Sequence, residues 1–399
     1  MKNKTTINST HLRAEEIISL IPDTLLDQFS LETGVDTYVK KFQGKIVFKL
    51  FIYAMLTSKT ISLRILETIF ASDKFHRLFS VPKKKLTHAG IAHRLKTMDA
   101  RYVERIFSHL IASPEVESIF FADKRINARK IDSTIVMLSS KLLRIGLEKN
   151  QGRHAVKFGV ELNQGIPVHI MLCDKQRQCS EDEVLPDLIR REARKHTINI
   201  AIFDRGIQRR QTFVDLSKQS VFFISRLTSQ KVRVLEDHPI PQGMNETETL
   251  TVMSDQEVVF SNSLKTFKEP LRLVRGTRKQ TGEVVSFLTN VTFLSAAEIT
   301  ELYRSRWEIE TFFKFIKQEL NFSHLLSRSE NGIRVVMYLT MIVAILLTIY
   351  KRVNHIVGWA STKIQFLDEL ERDILLSWYE TVTPLFYSMR QEIAQLRGG

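Results

Sequence analysis

The spacing of apolar and polar positions changes character three times along this chain. Over residues 1 to about 120, apolar side chains recur at three- and four-residue steps, in LLDQFSLE, KIVFKLFIYAMLT, LRILETIFAS and YVERIFSHLIAS. That period seats one face of a helix on a core, so it predicts a helical region over 1–120. Thr87 stands where an N-cap belongs, ahead of a helix running through Leu95, because its hydroxyl can accept an amide that the first turn leaves free. Near Ala128 the period shortens. ARKIDSTIVML, VKFGVELN and IPVHIMLCD read as strands, and Asn163-Gln164-Gly165 is a tight-turn signal between the second and third. A helix from about Glu181 to Arg194 follows, then the strand NIAIFD ending at Asp204, a helix containing FVDLSK and the strand VFFISRL. Strands that begin as a hairpin and then alternate with helices predict an α/β fold, a mixed sheet covered by helices.

From 228 to about 295, KVRVLED, ETLTVMS, QEVVFS, PLRLVRG and EVVSFLTNVTF read as strands between polar turns, a β-rich insertion. The helical period then returns and holds to Arg397, and its first element is expected to run unbroken from about Ala296 to Leu320. The expected division is an N-terminal helical region (1–120), an α/β core in two parts (121–227 and 296–330) split by the insertion (228–295), and a C-terminal helical region (331–399). Val335–Tyr350, flanked by Arg334 and Lys351, is strongly apolar. It is shorter than the roughly 20 residues a bilayer span needs and holds two threonines, which predicts a buried core helix rather than a membrane segment. There is no internal repeat and no low-complexity linker.

Composition adds a partner to this outline. With 43% hydrophobic and 26% charged residues the chain is globular, and its 399 residues suggest roughly two to four structural units. Lys and Arg outnumber Asp and Glu by 58 to 44, for a net charge of +14 and a pI near 9.7. That balance favours a polyanion, nucleic acid first, with an ordinary basic protein as the alternative. Lys83, Lys84 and Lys85 before Thr87 fit either a DNA-recognition helix or a solvated face. Cys173 and Cys179 make neither a zinc spacing nor a disulfide framework, which suits a reducing cytoplasm. Met1–Thr10 is polar and lacks the apolar core of a secretory signal.

The candidate chemistry lies in carboxylates. Asp132 interrupts an apolar strand in KIDSTIV and Asp204 ends one in IAIFDRG. A buried charge is costly unless it is paired or binds a metal, and functional groups gather at the carboxyl ends of such strands. Either aspartate alone also fits a turn or a helix cap. In AAEITELYRSRWEIETFFKFIKQEL, Tyr303, Arg306, Glu310 and Lys317 fall within an arc of roughly 60° on a continuous helix. Lys314 lies on the same side, and Ile309, Phe313, Ile316 and Leu320 form the adjacent apolar stripe. The row fits surface ion pairs as well as it fits a site. Phosphodiester cleavage would account for it: two Mg²⁺ ions can clamp the attacking and leaving oxygens, a few carboxylates suffice to hold them, and Arg and Lys hold phosphates.

The spacing of Tyr303, Arg306, Glu310 and Lys317, joined to Asp132 and Asp204 on their strands, resembles bacterial insertion-sequence transposases of the "insertion sequence four" family. The resemblance spans about Lys130 to Lys317. It implies an RNase H-like catalytic core, with Asp132, Asp204 and Glu310 as the catalytic acids that hold two Mg²⁺ ions, for which Mn²⁺ can substitute. It further implies cut-and-paste transposition, by cleavage at transposon ends and 3′-hydroxyl joining to target DNA. The implied partner is double-stranded DNA, as terminal inverted repeats and target, bound by a homodimer in a synaptic complex. The implied location is the bacterial cytoplasm and nucleoid, with no membrane. ATP is not needed, in keeping with the absence of a GxxxxGK[ST] run. Tyr303, Arg306 and Lys317 would contact DNA, as would Arg205 and Arg210, which with Arg209 follow Asp204 closely; a solvated helix start also fits those three. The family's hairpin-forming members stack a flipped base on a tryptophan of the insertion, but here the tryptophans are Trp307, Trp359 and Trp378. Either Phe260 or Phe267 supplies the stacking, or the stacking is absent. Arg272, Arg275, Arg278 and Lys279 suit DNA-backbone contacts or a solvated hairpin tip. Two other readings fit the residues, an RNase H-like nuclease that cuts without joining and a non-catalytic DNA-binding regulator. Asp174 is the reserve candidate among the acids.

Overall fold

Helices form wherever the N-terminal apolar period runs: α1 (Ala14–Ile18), α2 (Asp23–Thr33), α3 (Gly44–Thr57), α4 (Leu63–Ala71), α5 (Asp73–Leu78), α6 (His88–Thr97), α7 (Arg101–Ile111) and α8 (Pro114–Phe120). Thr87 caps α6, its side chain accepting the Gly90 amide, which satisfies one of the first-turn donors. There follow β1 (Ile126–Met137), β2 (Leu147–Lys149), β3 (Arg153–Asn163), β4 (Ile166–Cys173), α9 (Glu181–Ile189), β5 (Ile198–Phe203), α10 (Arg210–Lys218), β6 (Phe222–Arg226), β7 (Val232–Asp237), β8 (Leu250–Phe260), β9 (Leu271–Arg278) and β10 (Val284–Thr289). Helices α11 (Ala296–Arg304), α12 (Trp307–Glu319) and α13 (Glu330–Val353) come next, and 359–372 is helical. This computed structural model describes the chain except for residues 1–10, 123, 138–146, 150–152, 174–177, 179, 192–193, 228–230, 262–266, 324–325, 328 and 373–399. Asp174, Cys179 and Trp378 lie outside the described residues.

The chain divides into two units, one of Met1–Ile119 with Phe315–Gly399 and one of Phe120–Lys314. The first is helical and has α13 at its centre, packed against α1, α3, α6 and α7. The Phe107 and Tyr338 rings meet 5.5 Å apart. Among the described residues α13 alone is long and apolar enough to cross a bilayer, and 94% of its apolar window is buried within the protein. Its composition is that of a helix apolar all round because protein surrounds it.

The second unit is a mixed α/β layer structure built on a ten-stranded sheet. Its strands run in the order β2-β3-β1-β5-β6-β10-β9-β8-β7, and β4 pairs with β3. β1 is antiparallel to β3 and β3 to β4, whereas β1, β5 and β6 are parallel neighbours. Ile131, Ala201 and Phe203 pack with Val184, Leu188 and Phe213 of α9 and α10 on one face. Ala128, Ile200 and Ile202 pack with Ile299 and Tyr303 of α11 on the other.

Three expectations are corrected. The segment expected as one helix over Ala296–Leu320 breaks at Ser305–Arg306 into α11 and α12. Ser305 turns its hydroxyl back to the Leu302 carbonyl, at 2.6 Å, a local bond that competes with helix propagation. The Arg306 amide bonds to Tyr303 in a tightened last turn. α9 ends at Ile189, five residues earlier than expected, and the runs ETLTVMS and QEVVFS form one strand, β8, with an irregularity between Val252 and Ser254. The strands of 228–295 also continue the core sheet, because β10 pairs with β6 through Phe287–Thr289.

Candidate active site

Strand register brings Asp132 level with Asp204. β1 and β5 run parallel with Lys130 opposite Ile202, and two residues further along each strand stand the two aspartates. Neighbouring strands are about 4.8 Å apart, so Asp132, midway along β1, stands beside Asp204, the residue that follows β5. Alternation along β1 puts Lys130 and Asp132 on one face and Ser133 on the other. Lys130 Nζ lies 3.1 Å from Glu308 of α12, while Ser133 Oγ donates to Glu181 of α9 at 3.0 Å.

Glu310 arrives on α12, and the break before that helix links the three acids. Arg306, in the turn, donates from Nη2 to Glu310 Oε1 at 2.5 Å and holds Nη1 3.9 Å from Asp132 Oδ2. Tyr303, at the end of α11, donates its hydroxyl to Asp204 Oδ1 at 3.0 Å. The guanidinium carbon of Arg306 stands 5.7 Å from the centre of the Tyr303 ring. Asp132, Asp204 and Glu310 thus belong to one constellation, bridged by a guanidinium and a phenol. Among the described residues no three acidic or imidazole groups approach closely enough to hold a metal together.

Arg306 compensates the negative charge of the constellation only in part. Burial pushes the Asp132 carboxyl up to about 6; the Ser133 amide and Arg306 oppose the rise, and Glu181 and Asp204 add to it. The Tyr303 hydroxyl is also pushed up, first by burial and then by the charge of Asp204. Arg306 is buried, and its Nε has no hydrogen-bond partner among the described residues. A buried donor left unmade costs about 1–3 kcal/mol, so an acceptor reaching this nitrogen would be favoured. Among the described residues Asp132, Asp204 and Glu310 each accept one hydrogen bond, from Ser133, Tyr303 and Arg306. Each keeps oxygen lone pairs, and hard oxygen donors crowded with their own charge suit a divalent cation such as Mg²⁺.

The other candidates are placed differently. Arg205 is exposed just past Asp204. Arg210 is turned into the sheet, donating to the Ser261 carbonyl at 3.1 Å, and Arg209 pairs with Glu183 at 2.7 Å. Lys317 lies on α12 two turns beyond Glu310, half-buried, with its pKa lowered by desolvation and no ion pair among the described residues. Arg272 is neither a DNA-facing nor a hairpin-tip residue: it makes a buried bidentate pair with Asp255, at 2.8 and 2.6 Å. Phe260 is buried in the core, which removes it as a stacking surface; Trp307 is exposed.

Two groups at the site escape a reading of the sequence. Lys130 shares a strand face with Asp132, and the spacing Lys130-x-Asp132 was visible as two polar residues in a buried strand. Glu181 sits in the run Glu181-Asp182-Glu183, which reads as ordinary acidic enrichment at a helix start.

A model of the family described as Transposase DDE domain matches residues 130–346, more than half of the chain. The chain is 31% identical over 157 residues to a protein of Sinorhizobium fredii named as transposase y4zB, covering 39% of this chain and 43% of that one. It is 28% identical over 248 residues to the protein of Synechocystis named as the transposase for insertion sequence element IS4SA, covering 58% and 65%. It is 25% identical over 149 residues to that named for insertion sequence element IS5377 in Geobacillus stearothermophilus, covering 36% and 34%. The matches thus span from about a third to just under two thirds of these relatives.

Proposed function

The chain belongs to the transposase DDE-domain family, and on that premise we propose that it cuts DNA at transposon ends and joins the freed 3′-hydroxyl to target DNA. The observation that carries the reading is the convergence of Asp132, Asp204 and Glu310 around Arg306 and Tyr303. Names of relatives that refer to insertion sequence elements agree with it, as does the resemblance to the "insertion sequence four" family. The core is RNase H-like in this reading. Support comes from the order β4-β3-β1-β5-β6, antiparallel on one side of β1 and parallel on the other, with one aspartate on β1 and one after β5.

Asp132, Asp204 and Glu310 would hold Mg²⁺, or Mn²⁺ in its place, which would supply charge neutralisation at phosphorus and activation of the attacking water or hydroxyl. Tyr303 fixes the rotamer of Asp204 by its hydrogen bond, so that carboxylate is oriented before any ligand arrives. Arg306 balances Glu310 and Asp132 in the free protein, and by turning from them it would hold a phosphate bidentately. Arg205, Arg210 and Lys317 contribute to DNA contact, Arg210 by leaving its present bond to Ser261. The partner is duplex DNA carrying terminal inverted repeats. The working form is a homodimer in a synaptic complex, in the bacterial cytoplasm.

Asp204→Asn tests the reading, since it keeps the side chain's shape and removes its charge. Mg²⁺-dependent nicking should collapse, while binding to a transposon-end duplex should persist on cations spread over the protein. Near-normal nicking would remove Asp204 from the chemistry. Nicking by the unmodified protein without joining of a pre-cut end would reduce the activity to that of a nuclease.

A further inference from the structure

Glu181 opens α9, on the opposite face of the sheet from α12, yet its carboxylate reaches the same end of β1 and β5. Ser133, the residue after Asp132, donates its hydroxyl to Glu181 Oε1 at 3.0 Å. Lys157 Nζ of β3 stands 3.9 Å from the same oxygen. On the other side lies Gly206, two residues past Asp204. A Cβ built there would stand 1.5 Å from Glu181 Oε2 and 2.6 Å from its carboxyl carbon, so the carboxylate occupies the space a side chain would need. The next residue, Asp182, accepts the amides of Gln208 and Arg209 at 2.8 and 3.0 Å. The first turn of α9 therefore grips both the strand that carries Asp132 and the loop that carries Asp204.

Helix energetics alone do not call for this arrangement. Ser180 caps α9 by accepting the Asp182 amide, and a first-turn acid gains from the helix dipole while pointing into solvent. Glu181 points instead at a serine and a glycine that flank the two aspartates.

We propose that Glu181 is a positioning residue of the catalytic centre: it spaces β1 from the loop after β5 and adds a negative charge that raises the affinity of Asp132 and Asp204 for divalent cations. This rests on the reading of those aspartates as metal ligands. Gly206 is part of the device, because only its missing side chain leaves the seat open.

The test is Mn²⁺ binding to the full-length protein without DNA, followed by the electron paramagnetic resonance signal of free Mn²⁺. Glu181→Gln keeps size and hydrogen bonding but loses the charge, and should weaken Mn²⁺ about tenfold, the lower end of what groups behind metal ligands contribute. Gly206→Ala keeps the charge but displaces it, and should bring a similar loss. The double variant should be little worse than either, because both changes disable one device. Unaltered affinity in Glu181→Gln, with binding lost in Asp132→Asn, overturns the proposal and leaves the metal site standing. Unaltered affinity in Asp132→Asn overturns the metal-site reading itself and the proposal with it. Should Glu181→Gln fail to fold, Gly206→Ala decides: wild-type affinity there overturns the role of Glu181.

Discussion

Asp132 carries a charge that its surroundings resist, and the consequence is measurable in the protein without metal. Its carboxyl is pushed from 3.8 to about 6, first by burial. An acid whose pKa rises on folding stabilises the fold below its unfolded value, and that contribution is lost as pH climbs through the folded one. Asp132→Asn should therefore match the wild type near pH 4 and melt higher by a few degrees at pH 8, a gain on the order of 3 kcal/mol. The difference should develop mainly between pH 4 and 6, in melts run with a chelator. Equal melting temperatures at pH 8 would mean that the carboxylate is not strained. His169 works in the opposite sense: burial, then Arg191 and Arg129, lower it to about 4, so its stabilisation is lost as pH falls from about 6.5 through 4. At this scale the sequence showed Asp132 and Asp204 because a charge inside an apolar strand stands out. It hid Glu181 among three consecutive acids. It also gave no hint that Arg272 spends its charge on Asp255, since ion pairing between strands depends on register that one strand's residues do not carry.

The break between α11 and α12 is the element that brings Tyr303 and Arg306 to the three acids. The sequence shows an uninterrupted helical period there, which puts Tyr303, Arg306 and Glu310 on one continuous arc. They do converge, but through a turn at Ser305–Arg306, because a serine tolerated within a helix can also end one. The extension of the sheet by β10 was equally hidden, since strand runs announce themselves but not their neighbours. What positions α12 against β1 is the pair Lys130–Glu308, at 3.1 Å, with Lys130 buried and Glu308 half exposed. Removing one partner of such a pair strands a buried charge, whereas replacing the buried charge by an apolar side chain need not cost stability. Glu308→Ala should therefore destabilise the protein by roughly 1–3 kcal/mol, and Lys130→Met by clearly less, in urea unfolding. Equal losses would show that Lys130 acts through packing, not through its ammonium.

Across the whole molecule the net charge of +14 makes salt the natural probe of DNA binding. Cations spread over many elements each release counterions, so the logarithm of affinity should fall steeply and linearly with that of salt concentration. Lys317→Ala should reduce that slope by roughly one phosphate's worth while leaving most of it in place. A slope that does not change would leave Lys317 without a phosphate. Local patterns follow one another along the chain, whereas the helical unit takes its residues from both ends of it, a closure that no local pattern records. That closure sets an order of events during synthesis. The helices up to Ile119 are made first, but the apolar helix on which they pack, Glu330–Val353, leaves the ribosome only after the 195 residues of Phe120–Lys314. At about 5–20 residues per second, the early helices wait on the order of 10–40 s with their apolar faces uncovered. A ribosome that stops before α13 releases a polypeptide whose helical unit has no centre, and truncated translation products should be prey for chaperones and proteases rather than competitors for DNA.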